Sequence, residues 1–202
     1  MIPKSIMSLL LAAGVGATAL PAHAQEPYPA KPIRMVLGFA AGGGTDVITR
    51  ALAEQMGAIL GQPVIVDNKP GANGNIAAEI VARAPADGYT LLYNTSSIAI
   101  SPGLYPKLTY NVTKDLAPVS FTANLPIVLV AAKNLNITSV QDFVAHLKKH
   151  PGQMNYASAG NGNITHLSAL LFLQATGTTA NHIPYRSEAP AMTDLAGGQV
   201  SF

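Results

Sequence analysis

Apolar residues fall along this chain in short runs broken by glycine, proline and asparagine, and the spacing within those runs predicts alternating strands and helices. Residues 33–38 form an apolar run of strand length. From Thr45 the spacing turns helical, placing Val47, Ile48, Ala51, Leu52, Met56, Ile59 and Leu60 on one broad stripe. Thr45 is the expected N-cap, and Gly61 followed by Pro63 is the expected stop. Residues 64–67 read as a second strand, 75–84 as a second helix and 89–93 as a third strand. A β-α-β-α-β order implies a parallel sheet with right-handed crossovers, and so an α/β fold.

The pattern loosens between residues 94 and 120, where Pro102, Pro106 and Pro118 interrupt any clean period. It returns at 125–132, a continuous apolar run expected to form a buried strand and to cross into a second lobe. Ser139 with Asp142 three residues on has capping-box spacing and predicts a helix start. Pro151-Gly152 ends that helix. Strand 154–158, a glycine/asparagine loop at 159–163, helix 164–176, strand 180–185 and helix 188–196 follow. Gln199 to Phe202 reads as the start of another strand. The expected organisation is a first α/β lobe at 25–124 and a second at 125–202, the second incomplete at its C-terminus.

The first 24 residues read as an export signal. Lys4 precedes an apolar run from Ile6 to Leu20, and Ala22-His23-Ala24 is a small-x-small cleavage pattern. The run is too short, and too interrupted by Gly14, Gly16 and Thr18, for a membrane span of about 20 apolar residues. The expected chain is therefore exported, with cleavage after Ala24.

Composition narrows the chemistry. Of 202 residues 49% are apolar and only 11% charged, which excludes a disordered polar chain. There is no cysteine, so disulfides, thiolate metal sites and a cysteine nucleophile are excluded. A net charge of +2 gives no basic footprint for nucleic acid.

Two loops carry the candidate chemistry. Leu37-Gly-Phe-Ala-Ala-Gly-Gly-Gly-Thr45 runs from a strand through glycines to a helix start, and Tyr156-Ala-Ser-Ala-Gly-Asn-Gly-Asn-Ile-Thr165 repeats that plan in the second lobe. Glycines let backbone approach a ligand, and N–H groups at a helix N-terminus favour an anion. Two such ends facing one cleft would grip a carboxylate or phosphate without an arginine. Neither loop fits G-x-G-x-x-G, although Asp67 lies at about the distance expected of a ribose-binding acid. No G-K-[ST] occurs, so a Walker A loop is excluded. The alternative is that both loops are only tight βα turns.

At these residues the chain resembles the periplasmic solute-binding proteins of tripartite tricarboxylate transporters, the Bug family. The matching stretches include Tyr28-Pro-x-Lys-Pro-Ile33, Phe39-Ala-Ala-Gly-Gly-Gly-Thr-Asp46, Val66-Asp-Asn-Lys-Pro-Gly-Ala72, Ala84-Pro-Ala-Asp-Gly-Tyr-Thr90, Tyr156-Ala-Ser-Ala-Gly160, Thr165-His-Leu167 and Ile183-Pro-Tyr185. The resemblance implies a two-lobed type II periplasmic-binding-protein fold, longer than this chain, that captures a small carboxylate without a cofactor. It implies membrane permease subunits as partners; a sensory module that presents its ligand to a sensor kinase is the alternative. Carried onto this sequence, the implied ligand-binding residues are Phe39, Ala40, Gly43, Thr45 and Asp46 from the first loop. Those from the second are Ser158, Gly160, Gly162, Thr165 and His166. Where the family often has Lys-Gly after Pro-Tyr, this chain has Arg186-Ser187-Glu188, and Asn161 and Asn163 also depart from the commoner residues.

Single residues admit plainer readings. Asp46 orders a water, binds an amino group, or simply stabilises a helix's first turn. His166 touches ligand or bonds within the helix start, and His182 is packed or exposed. His146 and His150 have a metal-ligand spacing but no nearby carboxylate, so a solvated helix end is the better reading and no metal site is expected. Ser158 with His166 suggests a hydrolase, yet no G-x-S-x-G elbow is present, and the expected protein is not an enzyme.

Overall fold

The computed structural model describes residues 27–202, and the export signal expected at 1–24 lies outside them. Strand β1 (Ile33–Leu37) lies at the centre of a parallel sheet in the order β2-β1-β3, with β2 at Val64–Asn68 and β3 at Thr90–Tyr93. Its central place explains its composition. Ile33, Met35, Val36 and Leu37 are 0–3% exposed, because a parallel strand covered on both faces must be apolar throughout. Arg34 alone faces out and pairs with Asp67 on β2.

Helix α1 (Gly44–Leu60) and helix α2 (Asn75–Ala82) supply the crossovers. Two details of α1 correct the sequence reading. Its N-cap is Gly43, so Thr45 lies one residue inside the helix, buried. Its buried face is Thr45, Asp46, Thr49 and Ala53, while Val47 and Ile59 are 62% and 83% exposed. Small and hydroxylic side chains let α1 lie close to the sheet, with Thr49 Oγ returning its hydrogen bond to Thr45 O. Helix α3 (Ser97–Leu104) falls where no period was legible. Pro102 and Gly103 obscure its last turn, and it buries Ser97 and Ser101 rather than an apolar stripe.

The second sheet pairs β4 (Asn155–Ser158) with β5 (Asn181–Pro184) in parallel. Helix α4 (Val140–Lys149) precedes it, α5 (Ile164–Thr176) crosses it, and α6 (Glu188–Ala196) follows. Ser139 caps α4 as its spacing predicts, its Oγ accepting the Asp142 N–H at 3.1 Å. Phe143 and Leu147 on α4, Tyr156, Leu173 and Phe202 form this lobe's core. Burying each large side chain of that kind contributes about 1.5–3 kcal/mol.

The apolar run at 125–132 is not a strand. A strand needs a ladder partner for its N–H and C=O groups. Here the Ala132 N–H reaches Ser201 O, but residues 125–131 make no backbone ladder. Leu125, Ile127, Val128, Leu129 and Val130 are correspondingly 40–71% exposed. The strand expected from Gln199 is also unformed, although Ser201 N–H donates to Asn155 O alongside β4.

Candidate functional site

Both sheets end, at the carboxyl ends of their strands, on the same region of the molecule. After β1 the chain turns at Gly38, which presses against the loop following β2: a Cβ on Gly38 would lie 2.6 Å from Gly74 Cα. That loop contains the short helical turn Ala72–Gly74, with Asn73 in the left-handed region at φ 56°. From the second sheet come Ala159 to Asn161, after β4, and Tyr185-Arg186, after β5. Together these segments line a cavity of about 180 Å³, whose wall includes Gly38, Phe39, Asn73, Tyr105, Gly160 and Arg186. The Tyr105 hydroxyl donates to Asn161 O at 3.2 Å, and Asn163 Nδ2 donates to Asn73 Oδ1 at 3.2 Å, so the two sheets' loops touch directly beside it.

The first loop holds its shape through Asp46. Asp46 Oδ2 accepts the Gly42 N–H at 3.0 Å and Arg50 Nε at 3.0 Å, while Oδ1 accepts Asn68 Nδ2 at 2.9 Å. Burial alone would raise this carboxyl, but the bonds from Arg50, Gly42 and Asn68 with the Arg50 charge outweigh it and hold the pKa at about 2. Both oxygens are therefore engaged within the first lobe, and Asp46 braces the loop.

The second loop is more self-contained than its glycines suggest. Ala159 N–H donates to Thr165 Oγ, Gly160 N–H to Ser158 Oγ, Gly162 N–H to His166 Nδ1 and Asn163 N–H to Gly160 O. Most of the amides expected to greet an anion thus already have acceptors. That of Asn161 is not engaged among the described residues.

Beneath this loop lies a stack of rings. His166 and His182 lie 4.0 Å apart and nearly parallel, with Tyr156 4.8 Å from His182. Ser158 Oγ lies 2.6 Å from His182 Nε2, so the serine's imidazole partner is His182 and not His166. Burial lowers the pKa of His166, and burial with the neighbouring His166 lowers that of His182 to about 4. Among the described residues no carboxylate orients His182, and the geometry is that of a packed hydrogen bond.

The ten residues carried onto this sequence are therefore distributed unevenly. Phe39 and Gly160 line the 180 Å³ cavity. Ser158 and Thr165 line a larger cavity of about 360 Å³ inside the second lobe, bounded by the exposed run Ile127–Val130 and by Phe172, Met192 and Phe202. Ala40, Gly43, Thr45, Asp46, Gly162 and His166 line neither, and Gly43 is covered by Ser187 and Glu188 of the second lobe. The smaller cavity is the better candidate despite its size. It sits where α/β sheets bind ligands, at strand carboxyl ends, and it converges polar groups where the larger one is mostly apolar. Asn73, Tyr105 and Arg186 are members the sequence reading did not place there. Asn73 is 8% exposed, and its Nδ2 has no partner among the described residues; its place in a turn-forming stretch was the one hint in the sequence.

The pattern of the tripartite tricarboxylate transporter family receptors matches residues 48–202. The chain belongs to this family. The protein BugT of Bordetella pertussis is 42% identical over 178 residues, covering 87% of this chain and 55% of BugT. Among solved structures, an R. palustris protein, Rpa4515, with adipate is 36% identical at a TM-score of 0.84. The periplasmic binding protein BugD is 37% identical at 0.82. Each alignment covers 86% of this chain and 58% of the other. The chain thus spans little more than half the length of these relatives. The fold is that of the periplasmic binding proteins, and the family is one of transport receptors rather than of enzymes, which sets aside the hydrolase reading of Ser158. Asp67, considered above as a ribose-binding acid, pairs instead with Arg34 and Lys69, and the Arg34 hydrogen bond holds its pKa down. Among the described residues no helix is long and apolar enough to cross a membrane.

Proposed function

We propose that this chain is an extracytoplasmic solute-binding protein that captures a small carboxylate between its two lobes, 25–124 and 125–202, for a tripartite tricarboxylate-type transporter. The observation that carries this reading is the 180 Å³ cavity at the carboxyl ends of both sheets. That volume is well below the roughly 300–1,000 Å³ of sites for drug-sized ligands and suits a molecule of about ten non-hydrogen atoms. Arg186, the unpartnered Asn73 Nδ2 and the Asn161 N–H are the groups that would meet a carboxylate there. Adipate in the related R. palustris protein is a ligand of this class. Residues 1–24 act as the cleavable signal that delivers the chain to the periplasm, and membrane permease subunits receive the ligand.

The test is calorimetry with a series of C4 to C6 dicarboxylates, with a nucleotide as control. Binding of at least one dicarboxylate that is weakened tenfold or more in Arg186→Ala and Asn73→Ala is expected. Binding of the nucleotide and of none of the acids would overturn the reading.

A further inference from the structure

Asn163 joins the two lobes through an amide whose orientation is decided by the bonds around it. It is the N-cap of α5 and only 2% exposed. Its Oδ1 accepts the Thr165 N–H at 3.0 Å and the Thr165 hydroxyl at 3.1 Å. A backbone N–H only donates, so the amide atom on that side is the oxygen. The hydroxyl points the same way, because Thr165 Oγ already accepts the Ala159 N–H at 3.0 Å. Asn163 Nδ2 is thereby turned away from its own helix, and it donates to Asn73 Oδ1 in the first lobe at 3.2 Å.

Asn73 stands at the other end of that bond. Its turn runs through Gly71, Ala72, Asn73 and Gly74, all at positive φ, a backbone that Asn adopts more readily than most residues. The residue lines the 180 Å³ cavity. With Oδ1 facing Asn163, the atom of the amide left over is Nδ2, which is buried and has no partner among the described residues. Leaving such a donor unmatched costs about 1–3 kcal/mol, and an amide free to turn would offer a ligand either its donor or its acceptor. The bonds running from Ala159 through Thr165 and Asn163 leave it only the donor.

We propose that Asn163 is a positioning residue that sets the polarity of the ligand site. It holds Asn73 with Nδ2 free, so that the first lobe meets a hydrogen-bond acceptor, a carboxylate oxygen, and disfavours a carboxamide that presents its NH2 there. This rests on the carboxylate reading above and deepens it, because it supplies a choice of anion from the lobe that does not carry Arg186. It also makes that choice depend on both lobes, since a residue of the second orients the donor of the first.

Two variants at Asn163 test the relay. Serine and aspartate cap helices about as well as asparagine, but serine is too short to reach Asn73 and aspartate has no N–H to give it. Succinate, glutarate and adipate, each against its own monoamide, are titrated by calorimetry into the whole chain. The wild-type chain is expected to bind at least one diacid about tenfold or more tighter than its monoamide. Asn163→Ser, which adds no charge, frees the Asn73 amide to turn and should narrow that ratio to about threefold or less. In Asn163→Asp the Asn73 amide turns over to donate to the new carboxylate, so its side-chain ¹⁵NH2 signals should move downfield in the ligand-free chain. Wild-type binding of a diacid and its monoamide alike, or an unchanged ratio in Asn163→Ser, overturns the proposal and leaves the carboxylate reading standing. Unmoved Asn73 side-chain signals in Asn163→Asp overturn it without any ligand. Wild-type binding of none of the six compounds overturns the carboxylate reading and the relay's role in ligand choice together. If the aspartate variant fails to fold, the ratio in the serine variant decides.

Discussion

Acid should loosen the second lobe as pH falls below 6.5, and His182 is the reason. In the unfolded chain this imidazole takes up its proton near pH 6.5, whereas in the fold it does so only near 4. Between those values the unfolded chain binds more protons, so stability falls as pH falls from 6.5 and levels off below about 4. A shift of that size corresponds to at most about 3.4 kcal/mol, at 1.36 kcal/mol per pH unit. His182 is only half-buried, and solvent screening brings the expectation to about 1–2 kcal/mol. His166 adds in the same direction, since burial lowers its pKa too. Its protonation has a local consequence as well: His166 Nδ1 accepts the Gly162 N–H, and a proton on that nitrogen breaks the bond. Urea unfolding at pH 7, 5.5 and 4.5 reads the effect, which for a urea m-value of about 1–3 kcal/mol/M moves the midpoint by roughly 0.5–2 M. His182→Gln should flatten most of the slope in this window. A wild-type midpoint unchanged from pH 6.5 to 4.5, or an equal slope in the variant, would refute the reasoning.

Two further predictions follow from the first lobe. Gly38→Ala should cost about 1–3 kcal/mol in urea unfolding, because its Cβ meets the backbone of Gly74 rather than a movable side chain; a neutral substitution would show that the two loops are not in contact. Asp46→Asn should cost about 2 kcal/mol at pH 7, less some screening at the exposed Arg50. The depressed carboxyl stabilises the fold above pH 3.8 and ceases to as pH falls toward 2, so wild type and variant should converge in that range; a gap that persists at pH 2 contradicts the ion-pair account.

What was legible in the sequence was the part written in local chemistry. The strand at Ile33–Leu37, the capped helix at Val140–Lys149 and the glycine-stopped helix Ile164–Thr176 each carry their own period and punctuation. The parallel order followed from alternation alone. The run at 125–132 misled because apolar content signals burial only when a partner strand is at hand, and α3 was hidden because it packs through Ser97 and Ser101. The site divided in the same way. Glycine-rich loops announced a binding region, but whether their N–H groups are free depends on where Thr165, Ser158 and His166 turn their side chains. That Ser187 and Glu188 cover Gly43, and that Asn73 and Tyr105 join the cavity, are long-range facts with no local signature.

Backbone and side-chain amide shifts during a dicarboxylate titration test the central claim most directly. The account predicts the largest ¹⁵N–¹H changes at Phe39, the Asn73 side chain, Gly160 and Asn161, the groups around the 180 Å³ cavity. Changes confined to the apolar groove along Ile127–Val130, or none at all at saturating ligand, would contradict it.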